Sequence, residues 1–431
     1  MVVVPSYWYN LASDLPVPLP PLIDPPDMGE SRIALLTRIL PSKLISEEHA
    51  LDRYIEIPEE VRLAYSRLGR PTQLLRAEGF ERRLGVRGRV RIYFKNESVL
   101  PSGSHKLNTA IPQVYYALLD GAREVATETG AGQWGLAVSQ AASIFGLKAT
   151  VFMTRSSFES KRVRRLAMEA LGAMVYPSPS HATSVGREAL AADPRHPGSL
   201  GLAIAEAVEY VLSSEDRRYV AGSVLESVIT HQTVIGLELL EQLPEEPDYM
   251  IACVGGGSNF AGFTYPAIGL RLRGEAFSKT RFVAVESSSA ARLSKGLYRY
   301  DWLDTGRILP LAKMYSLGSG HVPPPLHAAG LRYHGAAASL SLLRRLGVVE
   351  AASYPQAEVL RAGLEFSRTE GIIPAPESAH AVKAVEDLAR KARDDTVIVF
   401  NLSGHGLLDS DAYERALALQ GEIVKAGSGG G

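Results

Sequence analysis

The chain has 431 residues, more than one compact core usually holds, so we expect at least two domains. Its 46% hydrophobic and 22% charged residues are typical of a globular protein, and its formal net charge of -1 gives no general attraction to nucleic acid or an anionic membrane. No apolar run approaches the roughly 20 residues of a membrane-spanning helix, and the start lacks a basic head followed by an apolar block, so neither a membrane span nor a signal peptide is expected.

The chain has a single cysteine, Cys253. One cysteine excludes an intrachain disulfide framework and is typical of a protein kept in a reducing compartment, so we expect a cytoplasmic location. Cys253 lies in the apolar run from Met250 to Val254, where a buried, unreactive side chain is favoured over a reactive thiol.

Short β-rich runs alternate with helical patterns along most of the chain. The stretch up to about Pro41 is proline-rich, and we expect it to lie over the surface as an arm rather than to form core. The predicted strands are Val90–Phe94, Val125–Thr127, Ala149–Met153, Ala173–Tyr176, Tyr249–Val254, Phe282–Val285 and Thr396–Asn401. The predicted helices include Leu107–Leu119, Trp134–Phe145, Lys161–Leu171, Val224–Leu243 and Ala357–Arg368. This pattern predicts an α/β fold of two three-layer domains with mostly parallel sheets that share a cleft.

In such sheets ligands bind where the carboxyl ends of strands open into loops. The first loop of interest, Pro101–Ala110, places Lys106 in the first turn of a predicted helix. The helix macrodipole disfavours a positive charge there, which lowers the pKa of the amine as a Schiff-base nucleophile requires. The alternative is a lysine that binds phosphate or extends along the surface at a helix start.

The second loop, Thr127–Gly135, is glycine-rich and stands between a strand and a helix. Successive backbone N–H groups at such a helix start can bind an anion such as a substrate carboxylate. Thr129 and Gln133 add side-chain donors, and Glu128 is a candidate general acid or base. The alternative is a tight turn in which Glu128 is merely solvated.

The third loop, Gly255–Asn259, follows an apolar strand and is a candidate phosphate cradle, because its glycines leave the backbone unobstructed. It is not a P-loop, since no Gly-Lys-Ser/Thr ends it, and Phe260 stands where the dinucleotide fingerprint has its third glycine.

In the fourth loop, Asn401–Gly406, Ser403 could hydrogen-bond a heteroaromatic nitrogen, or the loop could be an ordinary strand-end turn. The histidines show no metal-ligand spacing, so no metal site is predicted.

Together these motifs resemble the tryptophan synthase β chain family, in that family's order and over nearly the whole chain. They are Gly-Ser-His-Lys-x-Asn around Lys106, Glu-Thr-Gly-Ala-Gly-Gln from Glu128, Gly-Gly-Gly-Ser-Asn from Gly255, Glu-Gly-Ile-Ile-Pro-Ala-x-Glu-Ser-Ala-His over Glu370–His380, and Leu-Ser-Gly-x-Gly around Ser403. The segments Tyr7–Pro21, Gly222-Ser-Val with His231-Gln-Thr, and Pro323–Gly335 look like the divergent form called β chain 2. Trp134 replaces a histidine of the main group, and His405 replaces its usual arginine.

The resemblance implies the fold-type II architecture of pyridoxal 5′-phosphate enzymes, with the cofactor between two α/β domains. An arm and helical start would cover residues 1–70, the N-terminal domain 105–223 with a part that closes over substrate, and the C-terminal domain 71–104 and 224–431. Lys106 would bind the cofactor covalently, beside the phosphate-facing His105. Ser403 would face the pyridine nitrogen, with Glu286 near the ring. The cofactor phosphate would be held by Gly255, Gly256, Gly257, Ser258 and Asn259.

The implied reaction condenses indole with L-serine or O-phospho-L-serine to give L-tryptophan. Glu128 would assist loss of the leaving group and attack by indole. The substrate carboxylate would lie on Thr129, Gly130, Ala131, Gly132 and Gln133. A homodimer is the family expectation, while an α chain partner and a monovalent cation requirement are left open. The alternatives are another enzyme of this fold (cysteine synthase, threonine synthase or a dehydratase) and a catalytically silent homologue, against which the retention of Lys106, Glu128 and Ser403 argues.

The amino-acid donor is a separate question. In the main β chains an aspartate after a Ser-Ala-Gly-Leu-type segment helps recognise the serine hydroxyl, but no aspartate follows in the comparable stretch here, Ser316–Val322. His321, Arg332 and His334 offer positive or neutral donors instead, and charge-assisted bonds to phosphate are strong. We therefore predict that phosphoserine is used as well as, or better than, serine, with Arg332 the first candidate contact. The alternative is an Arg332 in a structural ion pair.

Overall fold

The computed structural model describes residues 3–26, 29, 31–222, 224–324, 326–414 and 416–418. Two residues of the segments that suggested a subgroup, Ser223 and Pro325, lie outside these ranges. The strands are β1 (Tyr7–Tyr9), β2 (Tyr54–Glu56), β3 (Leu74–Arg76), β4 (Val90–Asn96), β5 (Glu124–Thr129), β6 (Lys148–Thr154), β7 (Met174–Ser178), β8 (Arg217–Tyr219), β9 (Tyr249–Cys253), β10 (Arg281–Ser287), β11 (Leu297–Trp302), β12 (Leu311–Ser316), β13 (Val349–Tyr354) and β14 (Thr396–Leu402).

The α-helices between the strands range from single turns to about four turns in length. They are α1 (Arg32–Ile39), α2 (Ser42–Glu48), α3 (Glu59–Arg67), α4 (Glu78–Leu84), α5 (Leu107–Leu119), α6 (Gln133–Phe145), α7 (Arg155–Ser160), α8 (Arg162–Ala170), α9 (Ser184–Ala192), α10 (Leu200–Leu212), α11 (Glu226–Gln232), α12 (Val234–Gln242), α13 (Ser258–Leu272), α14 (Arg292–Lys295), α15 (Ala338–Arg345), α16 (Gln356–Glu370) and α17 (Pro376–Lys391).

The larger sheet has six strands in the order β13-β10-β9-β14-β4-β3. All neighbouring pairs are parallel except β3 with β4, at the edge. All seven residues of β14 are buried, as expected for a central parallel strand with helices on both faces. Its apolar sequence follows from this position, because neither face of the strand meets water.

The smaller sheet has four parallel strands in the order β7-β6-β5-β8. It is formed by residues 124–219, whereas the larger sheet takes its strands from residues 74–96 and 249–402. Two separate sheets, parallel but for one edge strand, confirm the predicted α/β fold class. The finer domain boundaries stay a prediction.

The start of the chain is not only a surface arm. Trp8 and Tyr9 are buried, at 0% and 2% exposure, and the Trp8 ring lies 4.5 Å from the His231 ring. β1 pairs with β2 in an antiparallel ribbon. The expectation of a surface arm was wrong for these residues, because the burial of large aromatic rings outweighs the proline-rich composition around them.

Other differences are smaller. The predicted helix Val224–Leu243 is two helices, α11 and α12, with Thr233 between them. The β11–β12 hairpin and helix α17 were not predicted. Across the described ranges no helix is both long enough and apolar enough to cross a membrane. The same residues contain no group of three or more His, Cys, Asp or Glu side chains arranged to hold a metal ion.

Candidate active site

The loop that carries Lys106 is fixed to the end of the central strand β14. The backbone N–H of His105 donates to the carbonyl oxygen of Ser403 at 3.0 Å, and its ring Nδ1 lies 3.2 Å from the same oxygen. A carbonyl can only accept, so Nδ1 carries the hydrogen. Ser104 and Gly404 form a bridge beside this contact. Two of the predicted loops therefore meet, and Lys106 begins α5 at their junction.

The electrostatics around Lys106 suit a neutral amine. Desolvation by the surrounding protein lowers its pKa, although the carboxyl of Glu377 partly opposes this. Among the described residues none hydrogen-bonds its Nζ. Burial, with a contribution from Lys106, also lowers the pKa of His105 to about 3, so this imidazole is neutral at physiological pH. A neutral amine with no partner is the form that attacks a carbonyl.

The glycine loop between β9 and α13 is closely packed from behind. A Cβ on Gly255 would lie 2.2 Å from the Gly330 carbonyl oxygen, and Gly257 has φ = +131°, which favours glycine. The 15-residue helix α13 begins directly after the loop, so the first backbone N–H groups of this helix are free for an anion. The Asn259 side chain donates to the Cys253 carbonyl at 2.9 Å and accepts from Asn401 at 2.7 Å. That leaves the backbone of Asn259, rather than its amide group, for phosphate.

Arg292, which the sequence did not indicate, lies beneath this loop. Its fully buried guanidinium donates to the carbonyl oxygens of Val254 and Gly255. It also donates to the carbonyl of Leu331 at 3.0 Å. By holding carbonyls on one side it turns the amides of the loop to the other side, and it adds a positive charge near the predicted phosphate. Its Nε also lies 3.5 Å from a carboxylate oxygen of the buried Glu286. No local sequence pattern marks Arg292, because its hydrogen bonds go to backbone carbonyls of separate segments.

Ser403 lies among neutral polar groups. Its Oγ is 2.7 Å from Ser378 Oγ and 3.5 Å from Cys253 Sγ. Burial raises the pKa of the Cys253 thiol to about 11, so it stays protonated, in line with the expected unreactive side chain. A pyridine nitrogen facing Ser403 would therefore meet a hydroxyl and not a carboxylate.

Glu128 is the next-to-last residue of β5, in the smaller sheet, and is 8% exposed. Burial raises its pKa to about 7, while a hydrogen bond from the Tyr219 hydroxyl lowers it. A carboxyl with a pKa near physiological pH can both give and take a proton. Tyr219 was not a candidate in the sequence analysis.

The loop after β5 is held from several sides. Thr129 Oγ1 accepts from the N–H groups of Gly132 at 3.2 Å and Gly135 at 3.3 Å. Thr154 and Arg164 donate to the carbonyls of Gly130 and Ala131, at 3.0 and 2.9 Å. The carbonyls of Gly130 and Ala131 and the N–H of Gly132 are thus occupied, and the N–H groups of Gly130, Ala131 and Gln133, at the start of α6, are the donors left for an anion.

Glu286 is bound elsewhere than expected. Its carboxylate accepts from the N–H groups of Leu293 at 2.8 Å and Ser294 at 3.0 Å, at the start of α14. Glu377 is instead the carboxyl that acts on Lys106. Its Oε1 accepts from Gly330 at 2.8 Å, and its Oε2 is buried without a partner. Proximity of Glu286 to the ring stays a prediction. Glu377, which lies in the motif over Glu370–His380, has better support as the carboxyl near the cofactor because it acts on Lys106.

The groups considered for phosphoserine are not equivalent. His334 is buried, burial lowers its pKa, and its Nε2 lies 2.9 Å from the Trp302 carbonyl, so it is neutral and engaged. His321 has a buried Nε2 without a partner. Arg332 is exposed, and its guanidinium makes one long contact of 3.5 Å with the Pro323 carbonyl among the described residues. No ion pair holds Arg332 within the described ranges, so its guanidinium is available.

These residues fit pyridoxal phosphate. The amine of Lys106 has no hydrogen-bond partner among the described residues, as a Schiff-base lysine needs. The glycine loop offers amides at a helix start, backed by the buried cation of Arg292. Ser403 supplies a neutral group for the ring nitrogen. Donors for the phosphate, the ring and the aldehyde are thus present on converging loops.

Comparisons with known proteins agree with this donor set. The family described as "Pyridoxal-phosphate dependent enzyme" matches residues 65–404. The chain is 66% identical to "Tryptophan synthase beta chain 1" of Aeropyrum pernix, over 98% of this chain and 99% of that protein. It is 68% identical to "Tryptophan synthase beta chain" of Pyrobaculum arsenaticum, over 95% and 99%. The chain belongs to the tryptophan synthase beta chain family.

Within that family, "Tryptophan synthase beta chain 2" of Thermococcus kodakarensis is 51% identical over 95% of this chain and 93% of that protein. Relatives named chain 1 and relatives named chain 2 both match this chain. The names of the relatives therefore do not follow the division into a main form and a divergent form that the sequence segments suggested. As a family member the chain is a pyridoxal-phosphate dependent enzyme, which confirms the predicted cofactor.

Solved structures show the same fold at low identity. Threonine deaminase isoform 2 from Solanum lycopersicum has a TM-score of 0.62 at 17% identity, over 94% of this chain and 98% of that one. O-Acetyl Serine Sulfhydrylase isoform 3 from Entamoeba histolytica has a TM-score of 0.59 at 19% identity, over 83% and 92%. At such identity the likeness concerns the fold alone.

Proposed function

We propose that this chain carries out the tryptophan synthase β reaction, which joins indole to the three-carbon unit of a serine-type donor and gives L-tryptophan. The observation that carries the proposal is the pair of proton-transfer groups in a member of this family. Lys106 has a lowered pKa, and Glu128 has a pKa of about 7. One group suits proton transfer at Cα and the other at Cβ.

Lys106 is the base at Cα. Its free amine would take the Cα proton of the substrate and later return it. The bound cofactor supplies an electron sink for the negative charge that develops at Cα. Burial disfavours the ammonium form of Lys106, so the free amine is ready to accept the Cα proton and gives it back readily.

Glu128 works at Cβ. In its protonated form it gives a proton to the departing oxygen, and as the resulting carboxylate it takes the proton that indole loses on bonding to Cβ. Since burial raises its pKa to about 7, both forms are available at neutral pH. The protons balance over the cycle, because the one given to the leaving group is replaced by the one from indole.

Ser403 influences which reaction follows at the substrate, and the loop after β5 binds the substrate carboxylate. A neutral hydroxyl does not keep a pyridine nitrogen protonated as an aspartate would, which weakens the electron sink and favours β-elimination over transamination. The N–H groups of Thr129–Gln133 hold the substrate carboxylate. Arg164 ties this loop to the Ser403 side of the cleft, since it donates both to Ala131 and to the Asp409 carboxylate.

Several finer points belong to the same proposal. We infer that the donor is phosphoserine at least as well as serine, with Arg332 as contact, and that the chain forms a homodimer in the cytoplasm. The resemblance leaves open both pairing with an α chain and a monovalent cation requirement. The alternative enzymes of this fold differ from the proposal in their product, which is directly measurable.

The test is product identity. The purified protein is mixed with pyridoxal phosphate, indole and either serine or phosphoserine, and the products are separated and identified. Tryptophan is expected, and Glu128→Gln should retain cofactor absorbance while losing about 10²–10⁴-fold in turnover. Keto acid or a cysteine derivative as main product, or near-normal turnover in Glu128→Gln, would contradict the proposal.

A further inference from the structure

Tyr219, at the end of β8, donates its phenolic hydrogen to Oε2 of Glu128. Both side chains are buried, at 2% and 8% exposure. Within the described part of the chain, Tyr219 is the one side chain that hydrogen-bonds this carboxyl. The contact therefore determines how Oε2 of Glu128 is held.

The contact is set by backbone structure. β5 and β8 are parallel neighbours with Ala126 opposite Tyr219, and Glu128, two residues on, points to the same face as Ala126. The strand ends are tied together next to it. Thr127 Oγ1 donates to the Val220 carbonyl at 2.8 Å, and Trp134 Nε1 donates to Thr127 Oγ1 at 2.8 Å. The backbones that carry Tyr219 and Glu128 are therefore held at a fixed separation.

We propose that Tyr219 is the positioning residue of Glu128: its hydroxyl holds Oε2 in place and presents Oε1 to the β-carbon of the substrate. This deepens the proposed function and rests on it. The phenol itself exchanges no proton with substrate. It fixes the direction of the carboxyl and stabilises its ionised form, because a hydrogen bond donated to a carboxylate favours the charge.

The pKa of Glu128 depends on a few neighbouring groups, and the Tyr219 hydrogen bond is one of them. Burial raises the pKa of Glu128, the Tyr219 hydrogen bond lowers it, and the charge of Asp304, after β11, raises it. Burial and Glu128 raise the pKa of Tyr219 far above its ordinary value, so the phenol stays a donor. Other ionisable groups on the neighbouring α10 and β8 are bonded elsewhere: Glu206 to Ser180 and Thr183, Tyr210 and Arg217 to Glu124, and Arg218 to Asp120.

The experiment follows the protonation of Glu128 directly. The full chain, with and without pyridoxal phosphate, is titrated by infrared spectroscopy, and the Glu128 carboxyl band is identified by its loss in Glu128→Gln. In Tyr219→Phe the titration midpoint should move up by about one pH unit, a tenfold change in the acid dissociation constant. Tyr116→Phe is the matched control, since it removes a buried phenol bonded at 2.7 Å to another carboxyl, Glu47. It should leave the Glu128 midpoint unchanged.

Two further measurements separate positioning from general stability. The alkaline limb of kcat should move to higher pH in Tyr219→Phe, since Glu128 then keeps the proton that it gives to the leaving group up to a higher pH, while KM for the amino-acid donor stays within about twofold. Replacing Tyr219 with 3,5-difluorotyrosine, a stronger donor, should move the midpoint down, and this covers the case in which the Phe variant does not fold.

An unchanged Glu128 midpoint in both Tyr219 variants, or an equal shift in Tyr116→Phe, overturns the positioning role whatever the turnover. Because the titration also runs without cofactor, it does not depend on the reaction. Failure of the proposed function would show separately, as normal turnover in Glu128→Gln.

Discussion

The backbone N–H and the ring Nδ1 of His105 both meet the carbonyl oxygen of Ser403, at 3.0 and 3.2 Å, although the residues are 298 positions apart. The contact joins the residue before Lys106 to the residue expected beneath the pyridine nitrogen. The distance between His105 and Ser403 is thus set by hydrogen bonds to the Ser403 backbone carbonyl, and the Ser403 side chain takes no part in them. A change of the Ser403 side chain alone should alter the chemistry at the ring nitrogen while leaving Lys106 in place.

Ser403→Asp should change how the reaction partitions. The new carboxyl would lie between Ser378 and Cys253, where a protonated pyridine nitrogen is its natural partner. A protonated ring is a stronger electron sink, so we expect longer-wavelength absorbance during turnover and more keto acid beside tryptophan. Spectra and product ratios measure both, with Ser403→Ala as control for loss of the hydroxyl. An unchanged spectrum and product ratio would show that Ser403 does not face the ring.

Gly255→Ala should weaken cofactor binding, because the added Cβ would lie 2.2 Å from the Gly330 carbonyl. Either the glycine loop or the 329–331 segment must move, and overpacking of this kind costs about 1–3 kcal/mol. If that cost falls on the bound state, affinity for pyridoxal phosphate drops by at least about fivefold. Fluorescence titration of the cofactor-free protein gives the constant. Gly320→Ala, with nothing within 4 Å of its Cβ, should bind normally, and equal affinity in both would contradict the cradle.

The sequence predicted the four inner strands of the larger sheet, because β9 and β14 are mostly apolar, as buried parallel strands are. It missed the two edge strands, β3 and β13, which are less buried. It also indicated Lys106 and the glycine loop, since these depend on local backbone properties. It could not indicate Tyr219 or Arg292. Their roles come from contacts between distant segments, and no local pattern encodes that Tyr219 reaches Glu128 or that Arg292 reaches the Gly255 carbonyl.

The stability of the protein should fall in mild acid because buried histidines must be neutral. His380 donates Nδ1–H to the Pro376 carbonyl at 2.8 Å, and burial lowers its pKa from 6.5 to about 4. Between these values the unfolded state binds the proton and the folded state does not, so this contribution is complete above pH 6.5 and is lost as the pH falls to about 4. His105, with a pKa of about 3, acts in the same direction.

His380→Asn keeps a donor for the Pro376 carbonyl but cannot titrate. The decrease in unfolding free energy from pH 7 to pH 5, measured by urea denaturation of the cofactor-free protein, should be smaller than in wild type by about 2 kcal/mol. The variant should be less stable than wild type at both pH values, because packing is lost. The quantity to compare is therefore the change in unfolding free energy between pH 7 and pH 5. The exposed His49, changed to Asn, should leave that difference as in wild type.

The choice of amino-acid donor should depend on Arg332. Its guanidinium is exposed and has one long contact of 3.5 Å, while His334 is neutral and bonded to the Trp302 carbonyl, so Arg332 is the available cation. It follows directly on residues 329–331, whose Gly330 carbonyl packs on Gly255, so its backbone lies near the predicted phosphate loop. A phosphate leaving group would gain a charge-assisted hydrogen bond there, which a serine hydroxyl would not.

We therefore expect kcat/KM for phosphoserine to equal or exceed that for serine, and Arg332→Ala to lower the phosphoserine value by about tenfold or more while changing the serine value little. A preference for serine would also have a structural basis. Asp301 on β11 accepts a hydrogen bond from Ser316 at 2.6 Å, so a carboxylate lies beside the segment in which the main β chains carry the aspartate that recognises serine. Steady-state rates with both donors in wild type, Arg332→Ala and Asp301→Asn decide between the two. A clear preference for serine that Arg332→Ala leaves intact and Asp301→Asn abolishes would assign donor recognition to the aspartate and remove Arg332 from the site.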